Sequence, residues 1–151
     1  MAPSFSPPDF GTLGLRHEVN VFVFRSGERG LEYLLLQPAP RYEAVWRPVV
    51  HPVRLDEDLH RAAVRAVRAE TGLDRAFDLV SPGAGLLQSI GDLQVVDWPF
   101  GFQVRDARVA VRRRPSLAAV SWHVFDDALR SLAVDVHRQN LLQLHARLLA
   151  A

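Results

Sequence analysis

In Glu18–Phe24, EVNVFVF, apolar residues return at alternate positions and are β-branched or aromatic, which predicts a strand. Ser26–Gly30, SGERG, reads as a turn. Glu32–Gln37, EYLLLQ, is a second strand, too apolar for either face to be wet. The two form a hairpin covered at least in part on both sides. Pro38–Tyr42 is a loop. Trp46–Val53, WRPVVHPV, is extended but holds Pro48 and Pro52, so it predicts an edge strand or one broken by bulges. The period then changes from two to near four. Leu59, Ala63 and Val67 form the apolar stripe of a helix over Glu57–Thr71, with Asp56 placed to cap its start and Gly72 to take the left-handed conformation at its end. Asp78–Val80 is a short strand. Leu86–Ile90 and Gln94–Val104 read as a hairpin around Gly91-Asp92, with Pro99 and Gly101 suggesting a bulge. Ala118–Val124 is a strand and Asp126–Leu132 a short helix. Asp135–Leu149 is a longer helix with Val136, Leu141, Leu144 and Leu148 on its apolar side. Strands and helices mix without strict βαβ alternation, which predicts an α+β fold with a mixed sheet and helices packed on it.

Composition narrows this little. The chain has 151 residues, 48% hydrophobic and 23% charged, as expected of one ordinary globular domain. Residues 1–14 are rich in Pro, Ser and Gly and predict an N-terminal arm, leaving 15–151 as the domain. A formal net charge of +1 gives no global pull toward nucleic acid or an anionic membrane, and neither is expected as a partner. All 18 basic residues are arginine, which fits either coding bias or a use for phosphate-binding guanidinium groups. The absence of Cys excludes disulfides and thiolate metal sites within the chain. No apolar run is long enough to span a bilayer and the first residues lack a signal-peptide pattern, so a cytoplasmic location is expected. The run Arg112, Arg113, Arg114 fits a solvated loop or strand edge, or else a phosphate or nucleic-acid contact.

The stretch Ala62–Leu73, AAVRAVRAETGL, carries a resemblance to a family. With the strand residues Leu34–Gln37 and Trp46 upstream, it resembles the Nudix hydrolases, whose signature is GX5EX7REUXEEXGU with U apolar. Without a gap, Glu57 falls on the first Glu, Arg65 on the Arg, Val67 on the apolar position, Glu70 on the last Glu, Gly72 on the second Gly and Leu73 on the final apolar position. Trp122–Leu129, WHVFDDAL, and His137–Leu144, HRQNLLQL, are similar to the ending of the dihydroneopterin-triphosphate and dATP pyrophosphohydrolase group. The resemblance implies an α/β/α sandwich, the Nudix fold, with its mixed sheet between helices. It also implies Mg²⁺ held by carboxylates at i, i+3 and i+4 of the helix.

Here the departures fall. The first Gly is His51, the Glu after Arg65 is Ala66, and the first Glu of the EE pair is Ala69. Ser116–Ser121, SLAAVS, has no acid where relatives often place one. Methyl groups give Mg²⁺ no oxygen ligand. Glu70 is thus the remaining candidate metal ligand and, with Glu57, the candidate catalytic residue. Arg65, Gly72 and the Glu57–Arg65 pair also fit a purely structural job. Arg16, Arg41, Arg47 and His51 are candidates for holding a phosphorylated substrate. Asp92, Asp97 and Glu43 are the acids that remain to replace lost ligands, and the other histidines show no metal-ligand spacing. Three functions stay open: a nucleotide or phosphorylated-ligand binder with weak or no hydrolase activity; a Mg²⁺-dependent hydrolase of a nucleoside-diphosphate-linked compound with a reduced metal site; and a structural or partner-binding module, with a homodimer among its forms.

Overall fold

The computed structural model describes residues 15–39, 45–105, 111–112 and 114–150. The arm and the candidates Arg41 and Glu43 lie outside these, as does Arg113. The described elements are strands β1 (Leu15–Gly27), β2 (Gly30–Pro38) and β3 (Val49–Pro52), helix α1 (Leu59–Thr71), strands β4 (Asp78–Val80), β5 (Leu86–Ile90), β6 (Leu93–Gln103) and β7 (Leu117–Val124), and helices α2 (Phe125–Ser131) and α3 (Asp135–Ala150). Among them, no helix is long and apolar enough to cross a membrane.

The seven strands form one mixed sheet, in the order β4-β6-β1-β2-β7, with β3 added to β1 and β5 to β6. β1 is its axis. It runs parallel to β6 from Leu15 to Phe24 on one side. On the other side it pairs antiparallel with β3 at Glu18–Val21 and with β2 at Phe24–Gly27. Because neighbouring residues on a strand face opposite ways, β1 and β2 feed two cores. Val19, Val21, Val23, Leu34 and Leu36 pack with Leu59, Ala62, Ala63, Ala66 and Val67 of α1. Phe22, Phe24, Tyr33 and Leu35 pack with Ala128 of α2 and Leu141 and Leu144 of α3. The chain is thus an α/β/α sandwich, as expected, and the unbroken apolar run of β2 is explained by burial on both faces.

Two local expectations are corrected. Asp56 does not cap α1: its φ is 63°, and the cap is Asp58, whose carboxylate accepts from the Arg61 amide. The helix accordingly starts at Leu59 rather than Glu57. In addition, β6 carries no bulge at Pro99 or Gly101, since its register with β1 is continuous. Pro99 falls between the segment that pairs with β5 (Leu93–Asp97) and the one that pairs with β4 (Gly101–Gln103), where the outer edge has no ladder to lose. Gly101 has a packing cause: an added Cβ would lie 2.7 Å from Leu144 Cδ1 and 2.9 Å from Phe24 Cε1.

The face of the sheet under α3 also holds a polar network that apolar patterning did not reveal. Asp97 is fully buried. It accepts from Asn20 Nδ2 at 2.8 Å and Gln88 Nε2 at 2.8 Å, and Asn140 Nδ2 of α3 donates to Asn20 Oδ1 at 3.0 Å. Glu18 stands beside Asp97 on the neighbouring strand. Burial first, then the Asp97 charge and a carboxyl–carboxyl hydrogen bond, raises the Glu18 pKa against the opposing pull of Arg16 and His51. Burial likewise raises Asp97, opposed by its amide partners. With raised folded-state pKa values, the folded state holds a proton that the unfolded chain releases. This contribution is full below the unfolded carboxylate value, about 4, and is lost as pH rises through the folded value. Glu18→Gln can still donate to Asp97 but cannot ionise. Relative to the wild type, its urea midpoint is expected to fall less between pH 4 and pH 8; equal falls would remove Glu18 as the cause.

Candidate functional site

The site is assembled around one face of α1. The helix ends cleanly because Gly72 takes φ 79°, and its amide closes on the Arg68 carbonyl. At the other end, the loop before the helix is tied down by Glu57. Its carboxylate accepts from Arg65 Nε at 2.7 Å and from a second Arg65 nitrogen at 2.8 Å, and also from the Arg54 amide at 3.0 Å. Arg65 in turn donates to the Pro52 carbonyl at 2.8 Å. The hydrogen bonds from Arg65 lead the causes that hold the Glu57 carboxyl below its usual range. Both Glu57 oxygens are therefore engaged by the protein, in a fork-to-fork pair that binds the end of β3 to the helix.

Glu70 emerges from the buried side of α1, its side chain 12% exposed. Its Oε1 accepts from Arg47 at 3.2 Å and from His51 Nε2 at 3.2 Å. Arg47 is set by a backbone bridge to Leu36 of β2 and by its own donation to the Pro48 carbonyl at 2.9 Å. His51 is set by its place on β3 opposite Val19. The His51 hydrogen bond and the Arg47 charge hold the Glu70 pKa down against burial. Three of the sequence candidates, Glu70, Arg47 and His51, thus meet. Arg16 does not join them; its charge acts on Glu18, and alternation on β1 puts both on the α3 side.

Neither Asp92 nor Asp97 joins Glu70. Asp97 belongs to the buried amide network, and Asp92 is an exposed residue of the β5–β6 turn. Ala66 is fully buried in the α1 core. Among the described residues, no three His, Asp or Glu side chains come together in a way that could hold a metal ion. Mg²⁺ takes several oxygen ligands in near-octahedral array. One carboxylate whose oxygen already receives a guanidinium and an imidazole does not provide that set, so the residues present do not fit the Mg²⁺ that the resemblance implies.

The approach of two further arginines was not anticipated from the sequence. Arg112 and Arg114 close on the C-terminal turn of α1: the Arg112 amide donates to the Thr71 carbonyl at 3.0 Å, and the Arg114 guanidinium donates to the Ala69 carbonyl. The arginine run was visible, but nothing in its spacing gives its position against Ala69. His137, on the buried side of α3, was also missed as a core position. Burial and the Arg47 charge push its pKa down to about 4.

No family model matches the chain, and no curated protein matches it. Solved structures do. A protein from Listeria monocytogenes described as a NUDIX hydrolase aligns over 89% of this chain and 94% of its own, with a TM-score of 0.75 at 18% identity. The Escherichia coli dihydroneopterin triphosphate pyrophosphohydrolase aligns over 84% and 92%, at 0.73 and 18%. The NUDIX domain of Shewanella oneidensis NrtR, complexed with ADP ribose, aligns over 95% and 94%, at 0.71 and 17%. The mixed sheet between helices is therefore of a known class. It is the Nudix fold, as the box on α1 implied.

The Glu57–Arg65 pair is expected to support stability. Arg65→Ala should lower it by about 1–3 kcal/mol in urea unfolding, the range for hydrogen bonds to charged groups with little solvent access. A change within a few tenths would contradict that role.

Proposed function

We propose that this chain uses the Nudix fold to bind a nucleotide or another phosphorylated ligand, with weak or no hydrolase activity. The observation that carries the reading is the state of Glu70, whose carboxylate oxygen is shared by Arg47 and His51. A carboxylate held this way is charged, oriented and already balanced. With methyl groups at Ala66 and Ala69, it has no acidic neighbours on the helix face with which to gather a metal and activate a water. Arg47 retains guanidinium N–H groups suited to phosphate oxygens. The NrtR domain, with ADP ribose bound, is support by likeness: the same fold there accepts a nucleoside diphosphate compound.

The test is a panel of nucleoside triphosphates, dinucleotides, nucleotide sugars, ADP-ribose and coenzyme A with Mg²⁺ or Mn²⁺. Phosphate release and melting temperature are both read. The expected result is no release above the blank, with at least one nucleoside compound raising the melting temperature by linkage. Turnover that disappears in Glu70→Gln would overturn the reading in favour of a hydrolase. Neither turnover nor a shift would overturn it in favour of a structural module.

A further inference from the structure

A pocket of about 370 Å³ lies at the C-terminal end of α1, lined by Arg68, Ala69, Gly72, Arg112, Arg114 and Pro115. Three of these six residues carry guanidinium groups, and none is acidic. All three arginines are exposed. The ion pairs formed among the described residues use other arginines and leave Arg68, Arg112 and Arg114 without a carboxylate.

Their convergence has a local cost. Like charges gathered at one site repel, and three mobile side chains on a surface would ordinarily spread or find acids. Two of them are held in place. The Arg112 backbone is fixed by the Thr71 carbonyl, and the Arg114 guanidinium by the Ala69 carbonyl. The negative end of the helix dipole offsets only part of the charge, about half of one elementary unit against three. The Arg112 guanidinium packs over Gly72, where an added Cβ would lie 3.5 Å from its Nε. The floor between the arginines is the methyl group of Ala69; a longer acidic side chain there would pair with them and close the site.

We propose that this pocket is an anion subsite that takes a diphosphate group directly on guanidinium forks, with no metal ion between protein and phosphate. Planar N–H pairs match phosphate oxygens two at a time, and a diphosphate offers enough charge and oxygens to engage all three. The inference rests on the reading of the chain as a phosphorylated-ligand binder and says which part of the ligand is held, and by what.

Inorganic pyrophosphate, titrated calorimetrically into the full chain in excess EDTA, tests it. Binding should persist without divalent cations and weaken as salt rises. Arg68→Ala and Arg112→Ala are suitable variants, because neither guanidinium holds the fold together among the described residues. Combined, they should weaken pyrophosphate at least about tenfold, as loss of charge-assisted hydrogen bonds does, at an unchanged melting temperature. Arg112→Lys should recover part of the loss. No binding in EDTA, or binding equal in wild type and double variant, overturns the subsite. ADP distinguishes the two ideas. If ADP binds equally well to wild type and double variant, the subsite falls and the broader reading stands. If pyrophosphate binding depends on the arginines while no nucleoside compound binds, the subsite stands and the nucleotide reading falls.

Discussion

A carboxylate on the sheet-facing side of a helix needs a cation. Glu70 is nearly enclosed, and an ionised group so placed is costly unless it is paired and hydrogen-bonded. Arg47 supplies the cation, and His51 adds a second hydrogen bond. Both belong to the extended segment after β2, so the ion pair also fixes how this segment lies on α1. The Glu57–Arg65 fork does the same a few residues further along, joining the loop before the helix to its middle turn. The loop, β3 and α1 are thus fastened to one another by charge as well as by the Val49, Leu59 and Val67 core.

This arrangement changes the meaning of the helix. Its signature residues that shape the motif are present, and each has a structural contact: Glu57 with Arg65, Gly72 as the left-handed cap, Val67 in the core. At the positions that would surround Glu70 with negative charge there are methyl groups, and hydrogen-bond donors approach instead. Arg47 and His51 meet the carboxylate, while Arg112 and Arg114 reach the last turn. The proposed direct reception of an anion rests on this arrangement. The fold is shared with enzymes, but function is decided at the site.

Much of this was legible from the sequence. The period of four in Leu59, Ala63 and Val67, the glycine after Thr71 and the two hairpins are local signals, and local physics decides them. The two-sided burial of β2 followed from its lack of polar positions. What was not legible depends on partners distant in the chain. Asp58 rather than Asp56 caps α1 because the chain turns through a left-handed conformation at Asp56, which a count of acids cannot reveal. Pro99 stays in a regular strand because β4 and β5 leave a gap opposite it. Asp97 reads as a hairpin acid, yet Asn20, Gln88 and Asn140 converge to satisfy it in the core. Arg114 meets Ala69 across 45 residues of sequence.

The central claim is that Glu70 is an ion-pair partner of Arg47 and His51 rather than a metal ligand. Titrating Mn²⁺ into isotope-labelled protein and following paramagnetic broadening of the Ala69–Gly72 amides tests it most directly, because a bound ion would broaden them first. The expected result is no broadening localised there, in the wild type or in Glu70→Gln. Selective loss of those signals in the wild type, absent in Glu70→Gln, would contradict it.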